Sequence, residues 1–130
     1  MIKCQKNILL GLGWKLFEES QEEIKDINDF SLYPFVTSSE EYATWDMMLD
    51  RARKFNAYGS QNIAEYFLSN QKNIPTEWQK YNIIFPNTTW ESSTDHKLCP
   101  YLSYRTDKWV LDYYWFLYDF HHNDRFMIVK

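Results

Sequence analysis

The apolar residues change their spacing near residue 80, and that change bounds the fold. Upstream, Tyr42, Trp45, Leu49, Ala52 and Phe55 recur at steps of three and four, which puts them on one helix face. Thr37–Glu40 and Ser38–Glu41 each have the spacing of a capping box ahead of it, and Gly59 suits a stop beyond its last turn. Ser60 then heads a second stripe, Ile63, Ala64, Phe67 and Leu68, and Pro75 suits the first turn of a short helix over 76–80. Downstream the period falls to two, as strands require. Tyr81, Ile83 and Phe85 alternate with Asn82 and Ile84, Pro86-Asn87 interrupts, and Thr88-Thr89-Trp90 follows. From Leu98 the chain is rich in Tyr, Trp, Val and Ile.

Parity predicts the strand register. With Thr106-Asp107 as a two-residue loop, Tyr104 faces Trp109, Leu102 faces Leu111 and Pro100 faces Tyr113. With a second loop at His121-His122, Leu117 faces Phe126 and Trp115 faces Ile128. The predicted core face carries Leu102, Tyr104, Trp109, Leu111, Tyr113, Trp115, Leu117, Phe126 and Ile128. The other face carries Tyr101, Ser103, Arg105, Val110, Asp112, Tyr114, Phe116, Tyr118, Met127 and Val129. Helices first and strands second predict an α+β domain: two or three N-terminal helices packed on a C-terminal antiparallel β-meander of three to five strands. The 130 residues suit one domain, with a loosely defined segment 1–36, a helical part 37–80 and a sheet 81–130. Trp14, Phe17, Ile24 and Ile27, with glutamates between them, predict an amphipathic helix over 13–28 whose acidic run faces solvent.

Charge and composition exclude several functions. The 14 basic and 18 acidic residues give −4, spread evenly, so there is no basic footprint for nucleic acid. No apolar stretch approaches the ~20 residues of a membrane span. Gly11-Leu12-Gly13 lacks the third glycine of a dinucleotide loop, and no cofactor is expected. Cys4 and Cys99 are too few for a disulfide framework, and without a secretory signal the expected location is cytoplasmic, with both thiols reduced.

Three groups have the residue types for chemistry, each beside a plainer reading. Asp119, His121, His122 and Asp124 combine imidazole and carboxylate, as zinc or iron sites do; the plainer reading is a polar loop closed by its aspartates. Asp95, His96 and Cys99 suit a base-activated thiol, but a spacing of three on a strand puts His96 and Cys99 on opposite faces. Asp112 lies mid-strand opposite Tyr101, where a carboxylate must reach water or bond a partner such as the Tyr101 hydroxyl. None of these is assigned as catalytic or metal-binding.

The segment Ile74-Pro75-Thr76-Glu77-Trp78, then Phe85-Pro86-Asn87-Thr88-Thr89-Trp90, Pro100-Tyr101-Leu102, Trp109-Val110-Leu111 and Asn123-Asp124-Arg125 carries a resemblance. It resembles small bacterial proteins of candidate phyla that share an I-P-x-E-W/F…F-P-G-T-x-W pattern followed by aromatic strands. The resemblance covers about residues 58–130 and implies a bacterial origin and a shared fold, with no catalytic residue carried over. Asn87 stands where the pattern has glycine, and Asn tolerates φ > 0 better than most residues.

The 6 Trp, 10 Tyr and 9 Phe leave the second sheet face too aromatic for an ordinary wet surface. It reads as a covered second core, as a protein-binding surface or as a stacking platform. The function expected here is non-enzymatic: a small acidic module binding a partner protein through Tyr101, Arg105, Asp112, Tyr114, Phe116 and Tyr118. The alternative is a small-molecule or carbohydrate-binding, even hydrolytic, domain centred on Asp112 and the His121-His122 loop.

Overall fold

A computed structural model describes residues 5–130. The elements run α1 (Gln5–Gly11), β1 (Lys15–Glu19), β2 (Phe30–Pro34), α2 (Trp45–Lys54), α3 (Gln61–Ser69), β3 (Asn82–Ile84), β4 (Thr88–Glu91), β5 (Lys97–Arg105), β6 (Lys108–Trp115) and β7 (Asp124–Val129). Short 3₁₀ turns cover Ile27–Asp29, Gln71–Asn73 and Thr76–Lys80. The α+β class holds, but the sheet has seven strands in the order β1-β4-β5-β3-β7-β2, with β6 on the other edge of β5. Two strands precede the helices α2 and α3, so these are not all N-terminal to the sheet. The β3–β7 pair is parallel, so the sheet is not a pure meander.

The first hairpin follows the predicted register pair for pair, from Leu98↔Trp115 to Arg105↔Lys108. Thr106 and Asp107 take φ of 52° and 64°, the left-handed pair of a two-residue turn whose twist matches the flanking strands. The second hairpin does not form. β7 leaves β6 altogether and enters between β3 and β2, where Phe126 pairs with Ile84 and Tyr33. Parity within a strand is satisfied by any neighbour, so alternation alone could not choose the partner.

The central strands are buried on both faces, and adjacent residues go to opposite sides. Ile83, Leu102, Trp109 and Met127 pack with Ile63, Ala64 and Phe67 of α3. Ile84, Cys99 and Phe126 pack with Trp45, Met48 and Ala52 of α2 and with Phe35 and Phe120. Thus Met127, not Phe126, belongs with Leu102, and Leu117 is 65% exposed instead of core. A strand buried on both faces reads as an unbroken apolar run, as Ile83-Ile84-Phe85 does.

The expected helix over 13–28 does not form: residues 15–19 are strand β1, 20–26 have no regular structure, and Ile27–Asp29 is a 3₁₀ turn. Phe17 is the extra residue of a bulge in β1, between the Leu16↔Trp90 and Glu18↔Thr89 pairs. The acidic run is partly tied down: Glu19 pairs with Lys6 at 2.6 Å, and Glu22 Oε2 accepts from the Gly59 N–H at 2.9 Å and Asn87 Nδ2 at 2.6 Å. The Tyr58 hydroxyl donates to the Glu23 carbonyl. Asn87 needs no positive φ; it acts through its side chain, which also donates to the Ala57 carbonyl. Gly59 is not a helix stop. It sits at φ 134°, and a Cβ there would lie 2.4 Å from the Phe85 ring.

α2 starts at Trp45, capped by Thr44 Oγ1 on the Met47 N–H, six or seven residues later than the Ser38 and Thr37 boxes suggest. The Thr37 N–H does donate to Glu40 Oε1, but this ring closes a turn. The Glu40 carboxylate is gripped by both Arg51 amino groups at 2.7 Å, and this guanidinium holds its pKa down at about 2. α3 begins after Ser60 as expected, yet Ser60 makes no side-chain cap; Thr88 Oγ1 from β4 accepts the Gln61 N–H instead.

Candidate functional site

The residues expected to form the interface separate into a polar end, a covered middle and an exposed end. At the polar end Arg105 Nη2 donates to the Tyr101 hydroxyl at 2.7 Å, and Arg105 Nη1 reaches Asp112 Oδ2 at 3.3 Å. Asp112 therefore meets Tyr101 through Arg105, and its Oδ1 accepts the Tyr113 N–H at 2.8 Å. That bond, with the Gln71 side chain on the backbone N–H and carbonyl of Trp109, blocks part of the free β6 edge against strand addition.

In the middle, Tyr114 stacks on Phe120 at 4.3 Å and 15°, and its hydroxyl donates to the Asp119 carbonyl at 2.6 Å. Phe120 is fully buried and is held by Ala43, each residue donating its N–H to the other's carbonyl. Burial raises the pKa of Tyr114 and Tyr101, with Asp124 adding for the first and Asp112 for the second.

At the exposed end the chain leaves β6 as Phe116-Leu117-Tyr118, which are 37%, 65% and 64% exposed. Phe116 stacks on His96 at 5.8 Å, and Trp115 lies 5.4 Å from the same ring. Nearby, Lys97 Nζ sits 4.1 Å from the Phe17 ring centroid. Phe116, Phe17, Trp45 and Leu49 line a cavity of about 480 Å³ with Asp46, Arg53, Asp95 and Lys97. Sequence reasoning missed Phe17 and Arg53 here. The spacing of Phe17 predicts a helix, whereas at the β1 bulge it lines this cavity.

The other candidate groups do not assemble. Asp124 is buried; its Oδ2 accepts the His121 N–H and its Oδ1 accepts from Asn82, so its side chain closes a turn, whereas Asp119 takes part through its carbonyl, which accepts from Tyr114. Burial raises its pKa. His122 Nε2 contacts the Thr37 carbonyl, and among the described residues no three His, Cys, Asp or Glu side chains are placed to share a metal ion. Cys99 is a free, fully buried thiol whose pKa burial pushes well up, so it is poorly nucleophilic. His96 bonds Thr94 Oγ1 instead. Cys4 lies outside the described residues. None of the three cavities described includes Asp112, His121 or His122. No described helix is long and apolar enough to cross a membrane.

Comparison with protein-family models, with curated proteins and with solved structures finds no match.

Proposed function

We propose that this chain is a small acidic protein-interaction module of bacterial, cytoplasmic origin that binds a partner protein through the aromatic end of its sheet, without catalysis. The observation that carries the reading is the exposure of Phe116, Leu117 and Tyr118 in one turn, beside the Phe17, Trp45 and Arg53 groove. Large aromatic side chains at the centre of a patch, with mixed charge around them, are what protein interfaces favour. Phe116 and Tyr118 supply the contact. Tyr114 supports it from below, and Arg105 with Asp112 and Tyr101 forms a polar rim farther along the same strands.

The test is affinity capture from a bacterial lysate with the wild type and with the Phe116→Ala/Tyr118→Ala double variant. Both residues are exposed enough for the variant to fold, which thermal unfolding checks. The reading expects at least one partner bound by the wild type and lost by the variant. Equal recovery of every partner by the two proteins contradicts it.

A further inference from the structure

The largest cavity described, about 540 Å³, shares no lining residue with the Phe116 groove and lies between the chain around Ile27–Asp29 and the end of α3. Its size is within the usual range for a small-molecule site. Three neutral amides line it: Asn28, Asn70 and Asn73. The side chains of Asn28 and Asn73 are exposed and bond no described residue, and half-buried Asn70 uses only its Nδ2, on the Tyr66 carbonyl at 2.8 Å. Tyr66, 42% exposed, supplies an aromatic wall. Lys25 and Asp26 are the only charged groups lining the cavity, and their charges cancel.

We infer that this cavity binds a sugar unit. The reasoning is by matching of groups. An amide presents a donor and an acceptor side by side, which is what a pair of sugar hydroxyls can satisfy, since each hydroxyl both donates and accepts. A tyrosine ring covers the apolar C–H face that a pyranose also presents. With no net charge at the rim, the site lacks what would hold a phosphate or a carboxylate. This site is separate from the Phe116 corner and does not depend on the partner-binding reading.

The test is NMR of the ¹⁵N-labelled protein, following the side-chain amide signals of Asn28, Asn70 and Asn73. Cellobiose, maltose and N,N′-diacetylchitobiose are titrated separately into the millimolar range. The inference expects saturable shifts at these amides with at least one of the three. Tyr66→Ala should then weaken that binding about tenfold, and Asn73→Ala should do the same should the first variant unfold. Phe116→Ala/Tyr118→Ala should bind the sugar as the wild type does. Silence of these amides toward all three disaccharides overturns the inference, as does unchanged affinity in the folded cavity variants.

Discussion

The sheet face under α3 is closed by a regular helix, whereas the face under α2 is closed largely by irregular chain. On the first, Ile63, Ala64 and Phe67 recur at helical spacing and cover Ile83, Leu102 and Met127. On the second, Phe35 and Phe120 arrive from loops: Phe35 stacks on Phe126 at 4.0 Å, and Phe120 covers Tyr114. The difference teaches how an aromatic sheet face should be read. Aromatic residues on a strand's second face are no sign of an open surface when a few buried rings from loops can cover them. What stays open is the corner where that cover ends, at Phe116 to Tyr118.

The largest test of the comparison is truncation on each face. Phe67→Ala and Phe126→Ala should each cost about 3–5 kcal/mol in urea unfolding, since both rings are buried and neither site can collapse freely. A much smaller loss for Phe126→Ala would mean that the α2 face is loosely packed and the two faces are unequal.

Acid and base act differently on the two carboxylates that fix the α2 side. Glu40, held at about 2 by Arg51, contributes stability that is present above its usual 4.5 and is lost as pH falls toward that lowered value. Asp124 has its pKa raised, so its contribution has the opposite sign: full below the usual 3.8 and lost as pH rises through the raised value. Stability measured against pH should therefore fall less steeply toward acid in Glu40→Gln. In Asp124→Asn it should lose the decline above pH 3.8, a smaller change superimposed on the loss of one hydrogen bond.

Local patterns were legible where they close on themselves. The β5–β6 register followed from parity plus a two-residue turn, and Ile63, Ala64 and Phe67 announced α3. The β7 partner was not legible, because parity fixes faces and not neighbours, and the segment from Phe116 to Asn123 buries Phe120 against Tyr114 instead of closing a hairpin. The N-terminal segment misled because Trp14, Phe17, Ile24 and Ile27 mimic a helical stripe, whereas Glu22 is fixed by Gly59 and Asn87, far away in sequence. Of the candidate site, Phe116 and Tyr118 were visible as exposed-face aromatics. The groove beside them depends on a bulge at Phe17 that no spacing signals.

Phe120 and Tyr118 stand two residues apart, one fully buried and the other 64% exposed, and they separate the covered face from the open corner. Urea unfolding of Phe120→Ala and Tyr118→Ala measures that boundary directly. A covered face predicts a loss of about 3–5 kcal/mol for the first and a change within about 0.5 kcal/mol for the second. Equal, small effects at both positions would contradict it and return the whole aromatic face to solvent.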